Sequence, residues 1–165
     1  MIYWTIFFGA AASLVSFLPG MFAKGSTEVE LRFLERGNAF SAETLASWIS
    51  ANPEAARAYA FPILLGFDLL FLLCLGCFLS LGSLLAAGAA QWPGALQCAV
   101  VILPIVFMMA DATEDLTLAR FLLTPEKIDA AAVAFVQKVT QVKIYACGAA
   151  MAQTAALSFY AALFK

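Results

Sequence analysis

The chain has 165 residues, 64% of them hydrophobic and only 12% charged. Soluble domains carry roughly 25% charged residues, so a mean hydropathy of +0.92 marks an integral membrane protein. A net charge of −2 argues against a nucleic-acid partner, because neutralising phosphates takes a basic surface. Histidine is absent, which excludes His-ligated haem, His-bearing zinc sites and histidine acid–base chemistry.

Four stretches are long and apolar enough to cross a bilayer, which takes ~20 residues of helix. The first covers 2–22, and Pro19-Gly20 would end or kink it. Lacking a basic leading region and a small-residue cleavage site, it reads as a retained helix rather than a signal peptide. A polar segment, 24–58, follows. Within it Ser41 suits the cap of a short helix in which Leu45, Trp48 and Ile49 share a face, either lying on the interface or covering the bundle. Asn52-Pro53-Glu54 reads as another helix start, and Pro62 predicts a kink.

The second and third spans, 59–87 and 94–122, are joined by a short turn from Gly88 to Gly94 that makes them antiparallel neighbours, with Trp92 suited to the headgroup level. Thr124 and Pro125 suit the start of a last long helix, whose fourth span covers 139–164. The expectation is therefore an all-α, polytopic membrane protein: a four-helix transmembrane bundle with a partly helical polar loop between helices 1 and 2. Lys24, Arg32, Arg36, Arg57, Arg120, Lys127 and Lys138 fall on one side and Lys165 on the other. The positive-inside rule then places the large loops in the cytoplasm, and an inner membrane of a bacterium is the expected location.

Acidic residues inside these spans are the most informative feature. An ionisable side chain in hydrocarbon is costly unless it meets a partner or water, and so marks a functional candidate. Asp111, Glu114 and Asp115 are spaced i, i+3, i+4 and share one helix face. Three such acids cannot all ionise cheaply, so either one holds a proton or cations compensate. Counting ~1.5 Å per residue from the loop side, Asp68 and Glu114 reach similar depths, and Lys143 lies just inside the fourth span on that side. Ser13 and Ser16 occupy the matching half of the first. Lys143 is the expected counter-ion of Asp111 or Asp68, with Arg57, Tyr59 and Arg120 at the rim.

Gly76, Gly82 and Gly88 recur at six-residue intervals, which is not the spacing of a close helix contact. The four cysteines all lie in apolar stretches. Cys74 and Cys77 form C-x-x-C, but no loop holds the shuttle cysteines that thiol oxidoreduction needs. They read as small packing residues, and a disulfide framework is not expected.

The order of Arg57-Ala58-Tyr59, Asp68, Asp111-x-x-Glu114 and Lys143 resembles a group of small, largely uncharacterised bacterial four-helix membrane proteins with a D-x-x-E-N signature late in the third helix. Here Asp115 replaces the final Asn. The resemblance covers roughly residues 35–150 and implies a fold and polar positions without an activity. More distantly, sterol-isomerase-like membrane proteins hold a lipid-like ligand over buried acids, but their catalytic pattern includes a histidine.

The resulting expectation is a bundle whose acidic pocket binds a lipid-like or amphipathic small molecule among membrane lipids, with no metal or cofactor. One alternative is an accessory subunit of a larger membrane complex, its buried charges fastening helices together. Another is an enzyme using a protonated carboxylate as general acid, with Lys143 tuning it. Proton conduction fits less well, because the polar residues crowd one half of the membrane.

Overall fold

In hydrocarbon every backbone N–H and C=O must be satisfied within the chain, so apolar runs of this length fold as helices. A computed structural model describes residues 1–19 and 41–163, and among these there are helices and turns but no strand. Three helices are long and apolar enough to cross a membrane: Pro53–Ala89, Gly94–Leu123 and Ala130–Leu163. The first helix, α1 (Ile2–Val15), has 14 residues, roughly 21 Å of rise against a hydrocarbon core of ~30 Å. The described residues thus contain three spans and one shorter apolar helix, where the sequence predicts four spans. Residues 20–22 of the expected first span, and 24–40 of the polar loop, lie outside the described residues. α1 packs along the second span. Gly9 allows the close approach, because a Cβ there would lie 3.0 Å from the Phe78 ring.

The short helix α2 (Ala42–Ala51) begins where Ser41 was expected to cap it: the Ser41 hydroxyl accepts from the Thr44 backbone N–H, and the Thr44 hydroxyl accepts from Ser41 N–H. Its apolar face covers the bundle rather than lying on the interface. Leu45 and Ile49 are buried in a core shared with Leu118, Phe121, Leu122, Val133 and Val136.

Helix α3 (Pro53–Ala58) has proline in its first turn. The next segment, α4 (Tyr59–Asp68), is broken at Phe61, whose backbone is extended (φ −144°, ψ 128°) just before Pro62. Proline lacks an N–H and crowds the preceding turn, so the break falls where the sequence predicts it. The span continues as α5 (Leu69–Ala89).

Gln91, with φ 56°, turns the chain after α5. Its N–H bonds Gly88 O and the Trp92 N–H bonds Ala87 O, the paired capping pattern that places the residue after the cap in the left-handed region. The third span is α6 (Gly94–Ala99) followed by α7 (Ile102–Leu123).

A 3₁₀ turn, Pro125–Lys127, then precedes α8 (Ala130–Leu163). The long helix therefore starts later than Thr124-Pro125 suggests. Thr124 turns its hydroxyl back to Arg120 O, and Asp129 caps α8 by accepting from the Ala132 N–H at 2.7 Å.

The spans pack through three apolar layers. Near the loops is the core just described. The middle layer holds Leu72, Leu79, Phe107, Ala146 and Ala150. At the turn end lie Ala86, Ala87, Val100 and Leu157. Two of the glycines spaced by six allow close packing after all. A Cβ on Gly76 would collide with the Met108 thioether, and one on Gly82 would lie 3.1 Å from Thr154, whereas Gly88 faces open space. Each serves a different helix pair, so no single small-residue motif links them. All four cysteines are free thiols.

Gln91 occupies a backbone position that costs a side-chain-bearing residue roughly 1–2 kcal/mol. Gln91→Gly should raise unfolding stability by about 1 kcal/mol, read as a higher melting temperature of the purified chain in detergent.

Candidate functional site

Register places the ionisable residues between apolar layers. Asp111 and Glu114 lie on α7 between Phe107 and Leu118, Lys143 on α8 between Val136 and Ala146, and Asp68 between Leu64 and Leu72. The result is a polar layer sandwiched between the loop-side and middle cores.

Within it Lys143 Nζ lies 3.1 Å from Asp111 Oδ1 and 2.5 Å from Glu114 Oε2. Glu114 is also held from its other oxygen, where the Thr140 hydroxyl donates to Oε1 at 2.8 Å. Glu114 and Thr140 are almost fully buried, at 3% and 1% exposure. Lys143 thus pairs with Asp111 and Glu114 together, rather than with Asp68.

The remaining acids are left differently. Asp115 is 4% exposed, and its Oδ2 has no hydrogen-bond partner. Asp68 is half-buried, within electrostatic range of Asp111, Lys143 and Glu114, but no ion pair to it forms among the described residues. Among the described residues the layer therefore holds four carboxylates and one ammonium.

The expected rim is looser than the sequence implies. Arg57 and Arg120 are exposed and form no ion pair with these acids among the described residues. Tyr59 packs against the loop-side core. Ser13 and Ser16 do not join the layer either. Their hydroxyls donate to Gly9 O and Ser13 O in their own helix, and both line a groove between α1 and α5 with Phe71, Leu75 and Phe78. A second groove lies between α7 and α8. Neither of these two grooves is lined by a carboxylate. No set of three or more His, Cys, Asp or Glu side chains suited to a metal ion occurs among the described residues.

Sequence reasoning missed a second polar layer, between the middle and turn-end cores. Ser83, fully buried, meets the Thr154 hydroxyl at 2.9 Å, and Gln153 Nε2 donates to Ser83 Oγ at 3.3 Å and to Val100 O at 2.6 Å. Its signal was Pro104. Proline cannot supply the N–H that a regular helix would give to Val100 O, so another donor must reach that carbonyl. Gln153 on α8 does so, joining the break in the third span to the neighbouring helix.

Two sets of variants test these layers through unfolding in detergent. Gln153→Leu should cost about 1–3 kcal/mol, the penalty of leaving buried polar groups unpaired. Lys143→Met should cost about 3 kcal/mol or more by stranding buried charge, and adding Asp111→Asn and Glu114→Gln should recover most of that loss. No family model matches the chain, and no curated protein or solved structure does either.

Proposed function

We propose that the chain binds an amphipathic, lipid-like molecule whose cationic or hydroxyl-bearing head reaches Asp68 and Asp115. The observation that carries this reading is the uneven pairing of the polar layer. Lys143 is shared by Asp111 and Glu114, while buried Asp115 Oδ2 has no partner. A carboxylate oxygen away from water gains most from a donor that brings charge or an O–H. The surrounding apolar layers suit the remainder of such a molecule, because small-molecule sites combine mostly apolar walls with a few placed polar groups.

In this reading α1 completes a four-helix bundle, supported by its seat along α5. The large loops face the cytoplasm of a bacterial membrane, supported by their excess of Lys and Arg. The Asp111-x-x-Glu114 pair behind the family resemblance is the half of the layer paired with Lys143. Asp115, which departs from that signature, belongs to the half offered to the ligand.

A second reading has its own observation. Lys143, Asp111, Glu114 and Thr140 join α7 and α8 through contacts closed within the chain, as a helix-fastening device in an accessory subunit would. Native mass spectrometry of gently solubilised chain separates the two. The binding reading expects a co-purifying small molecule, depleted about tenfold by Asp115→Asn and by Asp68→Asn, the effect of losing one charged hydrogen bond, with melting temperatures preserved. Wild type carrying no small molecule, together with variants that lose a protein partner or unfold, would hand the function to the accessory reading.

A further inference from the structure

The two lysines of α8 face different surroundings. Five residues at ~100° each put Lys138 roughly 140° around the helix from Lys143. Lys143 turns inward to the acids, whereas exposed Lys138 borders the outward groove between α7 and α8. This groove of about 530 Å³ is otherwise apolar, lined by Ile105, Val106, Met109, Phe135 and Val142, with Thr113 beside them. The Thr113 hydroxyl is spent on Met109 O at 2.6 Å. Lys138 has no hydrogen bond or ion pair among the described residues, so its ammonium is the one uncommitted polar group in the lining.

Position adds a second constraint. From Ile105 to Thr113 the groove runs roughly 12 Å along α7, against ~15 Å for one leaflet of the hydrocarbon core. α8 has 34 residues, a rise of roughly 51 Å, so a centred ~30 Å core leaves roughly 10 Å of helix outside at each end. Lys138 falls near that boundary, where its stem can lie on apolar surface while the ammonium reaches headgroup level. An occupant must then be hydrocarbon along the groove and anionic at the Lys138 end. A cationic amphiphile would meet Lys138 as a like charge.

We propose that this groove seats an acyl chain of an anionic phospholipid, with the headgroup phosphate paired to the Lys138 ammonium. Basic positions between membrane helices recognise anionic headgroups in this way. The groove lies on the opposite side of the α7–α8 pair from the acidic layer, so the site is independent of the one proposed above.

The test is native mass spectrometry of the full chain in mixed micelles containing equal amounts of phosphatidylglycerol and phosphatidylcholine with matched acyl chains. Wild type should retain phosphatidylglycerol about fivefold over phosphatidylcholine, the preference expected from one interfacial charge. Lys138→Gln should bring the two lipids to parity, and Lys138→Arg should keep the preference. Met109→Trp, at a position 65% exposed and so able to take the larger ring, should reduce retention of both lipids by filling the groove. Equal retention by wild type, a preference that survives Lys138→Gln, or an equal loss on Lys127→Gln would overturn the proposal. Unchanged retention by Met109→Trp would remove the groove from it.

Discussion

One ammonium shared between two carboxylates decides how α7 and α8 sit against each other. Apolar contacts between membrane helices carry little directional preference, because lipid tails are as apolar as leucine. Slipping α8 by one turn, roughly 5.4 Å, would keep plenty of hydrocarbon contact. It would also pull Lys143 from Asp111 and Glu114 and take Thr140 from Glu114 Oε1, leaving the buried Glu114 carboxylate without either partner. The register therefore rests on the polar layer, which lies between the loop-side and middle apolar cores.

The two polar layers differ in balance. In the neutral one Ser83, Gln153 and Thr154 bond one another or a main-chain carbonyl, and the layer repairs the hydrogen bond that Pro104 removes. That is a closed structural arrangement. The ionic layer is not closed, because one ammonium serves two of its four acids and Asp115 Oδ2 stays unpaired. A device needed only to fasten helices gains nothing from the surplus carboxylates, since each adds a desolvation cost without a partner. In this respect the ionic layer differs from the neutral one, in which each polar group has a partner.

The outward surface has a different character from the inward one. α8 carries one lysine to each side, so the same helix presents a cation to the acids within the bundle and another to the groove facing lipid. Among the described residues the inner layer is short of positive charge, whereas the groove holds a single positive group and no acid. The two places thus differ in the sign of their charge.

Much of this was legible in the residues. Apolar runs, the Ser41 cap, the Pro62 break and the shared face of Asp111, Glu114 and Asp115 follow from local rules of spacing and backbone chemistry, which act within a few residues. The helical membrane class was equally plain, because composition alone leaves hydrocarbon as the solvent. The partners across helices were not. That Lys143 would choose Asp111 and Glu114 over Asp68, that Thr140 would complete Glu114, and that Ser13 and Ser16 would face a groove all depend on the rotation of one helix about its axis relative to another. A few tens of degrees of rotation exchange an inward residue for an outward one without changing the sequence pattern. Gly76 and Gly82 make the same point, since each closes on a different neighbour. Composition and local spacing thus mark the helical segments and the charges they carry into the membrane. Which of those charges meet is a matter of side-chain pairing, set by packing between segments distant along the chain.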